Sequence, residues 1–308
     1  MTIVGRLKNL NRLGAECLLL ATVAPYLREV WWAFELPAHF QPHIIVASLA
    51  VLIVAFLLRQ RIVAALAVVA LANSALAIYE VPSNEPATGP GISVLSQNLS
   101  LGGASFADFA AVVRREQPDI LVLQEYTPSW DAAMTQLADK YTSRIAVPEN
   151  GVFGIALLSR LPIASYEIIE LGQSAVPAVV ARFETADFDG TLVGLHLNAP
   201  VDATLAADRN RQLVQLKQYL QTLDSPFVVA GDFNNTPWSP TFAAFIGGTT
   251  WHLASPILTP TWSSALGIAG IPIDLALASG DVALGQRRTF RLPGTDHRGV
   301  RFDFVQAR

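Results

Sequence analysis

The sequence predicts a layered α/β domain with a mixed sheet, carried behind three membrane-spanning helices. Three observations lead there. Apolar residues make up 52% of the 308 positions and charged ones 15%, and the apolar excess is concentrated between Gly14 and Tyr79. From Val81 onward, apolar runs of strand length alternate with helical patterns and turn signals. The polar residues best suited to chemistry fall at the ends of those runs.

Three apolar blocks form the N-terminal region: Leu13–Leu27, which contains Glu16, then Ile44–Leu58 and Ile62–Tyr79. A membrane-spanning helix needs about 20 such residues, so spans are expected at 13–30, 42–58 and 62–79 within a membrane domain of residues 1–80. The blocks continue well past any signal-peptide cleavage site. Arg6, Lys8 and Arg12 precede the first block, and Arg59 and Arg61 separate the second from the third. Positive residues stay in the cytoplasm, so both clusters are cytoplasmic if all three blocks cross. Trp31, Trp32 and Phe34 then suit the opposite interface. Residues 81–91, rich in Pro and Gly, read as a linker. Residues 92–308 are expected outside the cytoplasm, as part of a multi-pass cell-membrane protein whose residues 13–79 contact the lipid bilayer. Cys17 is the only cysteine, which excludes an intramolecular disulfide and a cysteine metal cluster.

In the C-terminal region, strands are expected at "GISVLSQNLS", "DILVLQEY", "FGIALLSRLPI", "AVVARFET", "TLVGLHLNAP", "PFVVAGDFN", "IDLALAS" and "GVRFDFV". Phe106, Phe109, Val112 and Val113 have helical spacing, as do Leu205, Leu213, Leu216 and Leu220. Nine polar residues end the strand-like runs: Asn98, Glu125, His196, Asn198, Asp232, Asn234, Asp274, Asp296 and His297. A carboxylate at a buried strand end is expensive unless it is paired or binds a metal. In α/β sheets such ends are where sites gather. Hard carboxylate oxygens suit Mg²⁺ or Mn²⁺, histidine moves protons near neutral pH, and asparagine amides can donate to a phosphoryl oxygen. Together these are the parts of a phosphoester hydrolase. Asn198, before Pro200, reads as a turn former. His252 and Arg160 read as structural. Trp238, Trp251 and Trp262 read as packing residues more than as a stacking platform.

In chain order, "SQNL", "LVLQE", "GIALLSRLPI", "GLHLNAP", "GDFN", "IDLALAS" and "GTDHRGV" resemble the motifs of the endonuclease/exonuclease/phosphatase superfamily, over residues 92–306. The resemblance implies a deoxyribonuclease-like β-sandwich flanked by helices. It implies that Glu125, with Asn98 and Asp296, holds the divalent metal. Asp232 would orient or deprotonate the attacking water and Asn234 would donate to the phosphoryl oxygen. His297, its ring held by Asp274, would contact the scissile phosphate, and His196 would bind phosphate or assist the leaving group. Asp232 and Asn234 would point the same way from an extended segment, with Phe233 turned into the core and Gly231 giving clearance for substrate. Leu195 before His196, Leu275 after Asp274 and Thr295 before Asp296 depart from the family pattern, but none removes a catalytic position.

The expected function is a nuclease-like phosphodiester hydrolase, and the alternative is a phosphodiesterase or phosphatase acting on a lipid headgroup or other small phosphoester. A non-catalytic, membrane-anchored binding module is a third reading. From Val81 onward there are 15 Lys and Arg against 21 Asp and Glu, a net charge of −6. Proteins that grip long nucleic acids usually show a basic face, but a bound metal would offset some of the negative charge locally, so charge separates the two substrate readings only in part. Arg287, Arg288 and Arg291 form the one concentrated basic patch.

Overall fold

The computed structural model describes residues 2–83, 86–87, 91–101 and 103–306. They fall into two compact units, Met1–Val81 with Thr236–Ala244, and Pro82–Asn235 with Phe245–Arg308. The expected linker, 81–91, lies partly outside the described residues.

Three helices build the first unit: α1 (Ile3–Val23), α2 (Gln41–Leu57) and α3 (Arg61–Tyr79). They pack on one another through small side chains, with Ala15, Ala55, Ala67, Ala70 and Ser74 buried. Small residues let helix backbones approach closely. Polar ties complete the bundle: Asn11 Nδ2 donates to Val51 O and Gln60 Oε1, and Asn73 Nδ2 to Thr22 O.

Two of the three expected spans are helices long and apolar enough to cross a membrane, within Trp32–Leu57 and Arg61–Tyr79. The span expected at 13–30 is not. The α-helix stops at Val23 and a 3₁₀ turn containing Pro25 follows. The helical part from Leu13 to Val23 is therefore only about 16 Å long at 1.5 Å per residue. The rest of α1 carries Arg6, Lys8 and Arg12.

Thr236–Ala244 joins this unit through polar contacts. His39 Nδ1 lies 3.0 Å from Thr236 Oγ1, Trp238 Nε1 donates to His39 O, and Thr241 donates to Glu35. The hydrophobic pattern carries no mark of this association, because polar pairing has no period.

The second unit runs β1 (Ile92–Asn98), α4 (Phe106–Glu116), β2 (Ile120–Gln124), α5 (Pro128–Met134), β3 (Ser143–Val147), β4 (Ile155–Ser159), β5 (Ser165–Leu171), β6 (Val176–Glu184), β7 (Asp189–His196), α6 (Ala203–Gln221), β8 (Phe227–Asp232), α7 (Pro240–Ile246, across the unit boundary), β9 (His252–Leu253), β10 (Asp274–Ala278), β11 (Val282–Leu284), β12 (Arg288–Arg291) and β13 (Arg298–Gln306). One sheet has the order β11-β13-β1-β2-β4-β3, with β12 also on β13. The other has the order β5-β6-β7-β8-β10-β9. The parallel pairs are β1 with β2 and β7 with β8, and the other named pairs are antiparallel. The core lies between the sheets, where Val94, Val122, Val179, Leu192, Val228 and Phe302 are wholly buried. A second cluster holds α4 and α5 on the outer face of the first sheet, around Phe109, Tyr126 and Trp130. This is the layered β-sandwich flanked by helices that the sequence predicts.

Candidate active site

Register brings the strand ends together. β7 and β8 are parallel with His196 opposite Asp232. β10 runs antiparallel to β8 with Asp274 opposite Asp232. Three side chains far apart in sequence thus stand side by side on adjacent strands. In the other sheet, Asn98 stands opposite Gln124, the neighbour of Glu125. His297 immediately precedes β13.

Asp232 is the hub. Its Oδ2 accepts a hydrogen bond from Asn98 Nδ2 at 3.3 Å and faces His196 Nε2 at 3.6 Å and His297 Nε2 at 3.7 Å. Its Oδ1 accepts the Asn234 N–H at 2.8 Å. Each histidine is oriented from its other nitrogen: His196 Nδ1 contacts Val152 O at 3.0 Å, and His297 Nδ1 donates to the Asp274 carboxylate at 3.0 Å. Asp232, Asp274 and both histidines are buried. Burial, then the charge of Asp274, raises Asp232 above the usual carboxylate range against the pull of His297, His196 and the Asn234 N–H. For His297, burial acts to lower the pKa, but Asp274, Asp232 and Asp296 outweigh it and hold the imidazole protonated well above its ordinary value. The result is a water-poor cluster in which one imidazolium offsets carboxylates that would otherwise repel.

Glu125 and Asp296 converge on one short segment. Leu101 N donates to Glu125 Oε2 at 2.6 Å, and Ser100 Oγ donates to Asp296 Oδ1 at 2.7 Å. Trp262 Nε1 holds Asp296 Oδ2 at 2.9 Å. Burial acts to raise the Asp296 pKa, but these hydrogen bonds from Ser100 and Trp262, with His297 nearby, bring it below the usual value. Glu125 has φ 55°, a left-handed conformation that costs a non-glycine residue energy and tends to persist at functional positions.

Several expectations need correcting. Glu125 is half-buried and Asp296 exposed, so the buried carboxylate pair is Asp232 with Asp274. Asn98 touches Asp232, and its Oδ1 already accepts the Ser100 N–H at 3.0 Å. Asn234 does not sit in an extended segment. It has φ 46°, and its Nδ2 donates to Leu197 O at 2.8 Å, so "GDFN" is a strand end closed by an Asx turn on Asp232. A Cβ on Gly231 (φ 151°) would lie 2.0 Å from Leu195 O, so this glycine makes room for the neighbouring strand, not for substrate. Phe233 is wholly buried, as expected. Arg287 is also buried, donating to Asp274 O, Thr259 O and Pro256 O, so the expected basic patch loses one of its three members.

Arg209 and Thr261 complete the site without having been singled out, and Thr295, noted only as a departure from the family pattern, joins them. Arg209, wholly buried on α6, donates to Asn234 O at 3.3 Å. An arginine among the apolar positions of an amphipathic helix was the available signal. Thr261 Oγ1 accepts the Asp274 N–H at 3.1 Å. Thr295 Oγ1 accepts the His297 N–H and donates to Asn98 O. Asn198, Trp238, Trp251 and His252 are buried packing or network residues, whereas Trp262 reaches the site through Asp296. Among the described residues, one group of three offers ligand atoms within 4.8 Å of one another: Asp232, Asp274 and His297. With His297 bonded to Asp274 through Nδ1, this trio is already charge-paired. Glu125, half-buried, and Asp296, exposed, are the other hard-oxygen donors at these strand ends and are of a type that could hold Mg²⁺ or Mn²⁺.

A profile described as the Endonuclease/Exonuclease/phosphatase family matches residues 95–297. No curated protein matches the chain in sequence. Among solved structures, an endonuclease/exonuclease/phosphatase from Beutenbergia cavernae DSM 12333 is 20% identical with a TM-score of 0.60, covering 71% of this chain and 72% of its own. D. rerio TDP2, complexed with single-strand DNA product, is 17% identical with a TM-score of 0.60, covering 70% and 99%. The human Nocturnin catalytic domain, with bound sulfate anion, is 20% identical with a TM-score of 0.59, covering 72% and 96%.

Proposed function

Because the chain belongs to the endonuclease/exonuclease/phosphatase family, whose members are phosphoester hydrolases, we propose that it is a membrane-anchored phosphoester hydrolase working with Mg²⁺ or Mn²⁺. The observation that carries the reading is Asp232, buried between His196 and His297, with Asp274 behind His297. Water's oxygen attacks phosphorus, one P–O ester bond breaks, and the departing oxygen takes up a proton. Asp232 orients and deprotonates the water. His297, kept cationic and aimed by Asp274, contacts the scissile phosphate, and His196 binds phosphate or protonates the leaving oxygen. Asn234, which gives one amide hydrogen to Leu197 O, would donate its other to the phosphoryl oxygen. Glu125 and Asp296, with Asn98 helping, would hold the cation, which would supply Lewis-acid polarisation of the phosphoryl oxygen.

Two candidate spans suffice for the topology. Arg59 and Arg61 lie between them and favour a cytoplasmic hairpin tip. Whatever follows α3 then lies on the extracytoplasmic side, whether or not α1 enters the bilayer. The test is turnover of bis(p-nitrophenyl) phosphate by the full chain in detergent with Mg²⁺ or Mn²⁺. Activity lost in chelator and in Asp232→Ala supports the reading. Activity untouched by either overturns it.

A further inference from the structure

The loops around the candidate site contain neither lysine nor arginine. Residues 99–105, 148–154, 197–203 and 254–273 are all free of them, and from Phe233 to Ile273 there is no Asp, Glu, Lys or Arg at all. The loops instead expose apolar side chains: Leu101, Val152, Val201 (70% exposed), Trp262, Leu266 and Ile268 (96% exposed). Most are locked to the site. Leu101 N bonds Glu125, Val152 O bonds His196, and Trp262 Nε1 bonds Asp296. Leu266 and Ile268 lie in the 3₁₀ segment Ser264–Ala269. Its first residue, Ser264, donates its N–H to Asp296 O at 2.6 Å and its hydroxyl to Thr295 O at 3.1 Å. Beside Leu101, and so beside Glu125, opens a cavity of about 550 Å³. Phe106, Pro128, Trp130 and Ala133 are among its lining residues, and none of the lining residues is charged.

A nucleic acid is gripped through its phosphates by Lys and Arg, and these loops supply none. Apolar side chains exposed together around a site mark an apolar partner. We propose that the substrate is an amphiphilic phosphoester presented by a lipid bilayer. Its phosphate enters between Asp232 and Glu125 while its acyl part lies against the rim and the cavity. The two candidate spans in the same chain would keep the site close to such a surface. This inference rests on the hydrolase reading above.

The test uses the full chain reconstituted in phosphatidylcholine vesicles doped in turn with phosphatidylglycerol, phosphatidylinositol and sphingomyelin. Bis(p-nitrophenyl) phosphate and a single-stranded oligonucleotide serve as soluble substrates. At least one vesicle lipid should be hydrolysed with kcat/KM about tenfold or more above the oligonucleotide. The double variant Leu266→Glu/Ile268→Glu should lower the ratio of lipid to bis(p-nitrophenyl) phosphate turnover by about tenfold or more, since withdrawing even one side chain of this size from an apolar surface has an effect of that order. An unchanged ratio, or preference for the oligonucleotide, overturns the inference and leaves the hydrolase reading standing. A wild-type chain that turns over none of these substrates overturns both.

Discussion

Asp208 offers the sharpest test of how the site is supported. It lies on α6, 2% exposed, in a cradle formed by the turn after β5. Its carboxylate accepts the N–H of Gln173 at 2.6 Å, the N–H of Ser174 at 3.1 Å and Asn198 Nδ2 at 2.9 Å. A Cβ on Gly172 (φ 78°) would fall 2.7 Å from Asp208 Oδ2, so the turn closes tightly on the carboxylate. Asp208→Ala removes three acceptors at once. Gln173 and Ser174 lie at the surface and can turn to water, at a net loss of about 1 kcal/mol each. The Asn198 amide is wholly buried and cannot, at about 1–3 kcal/mol. The expected destabilisation is about 3 kcal/mol, or about 6–12 °C in Tm for a domain of this size. The assay is thermal unfolding of the full chain in detergent, followed by tryptophan fluorescence. The pH dependence has a definite sign. Burial acts to raise the Asp208 pKa, but the Gln173 and Ser174 hydrogen bonds and Arg211 bring it below the ordinary value. Its stabilisation is therefore present above the unfolded-state pKa of about 3.9 and is lost as pH falls through the lower folded value. Asp208→Asn should flatten that acid limb. Because Asn198 follows His196 by two residues, Asp208→Ala should also slow turnover several-fold. A Tm shift below about 2 °C would refute the reasoning.

Asp232→Ala and His297→Ala should each cut hydrolysis by about 10²-fold or more without altering the circular dichroism spectrum; near-wild-type rates in either would sink the assigned roles. Glu125→Gln should shrink the Mg²⁺-induced rise in Tm, and an equal rise in wild type and variant would exclude Glu125 as a ligand. Gly231→Ala must move β8 away from Leu195 O and should lose most activity, together with about 1–3 kcal/mol of stability from overpacking; a fully active variant would contradict the close strand approach. A reporter that requires the extracytoplasmic side, fused after Arg308, should be active, whereas one that works only in the cytoplasm should be silent.

Eight strands of the hydrolase unit (β1, β2, β4, β6, β7, β8, β10 and β13) and its two long helices were legible because burial leaves a period in the residues, whereas β3, β5, β9, β11 and β12 were not read from the sequence. Phe109, Val112 and Val113 face the core of α4, as do Leu213, Leu216 and Leu220 on α6. The polar residues at the strand ends stood out for the same reason, since each interrupts a run that should be buried. What the pattern could not carry was anything decided across the sheets. The registers of His196 and Asp274 against Asp232 belong to β7–β8 and β10–β8 pairing. They set which carboxylates share a buried space. The family resemblance put Glu125 and Asp296 at one metal site, and the apolar runs before them suggested buried strand ends, whereas the fold buries Asp232 with Asp274 and leaves the other two in reach of water. Chain direction at Asn234 was likewise hidden, because one residue at φ 46° reverses a side chain without changing any hydrophobic period. The supports from Arg209, Thr261, Thr295 and Trp262 are individual hydrogen bonds, most of them between segments that are not neighbours in the chain. Composition and periodicity report how much of a residue is buried, and only tertiary structure decides against what.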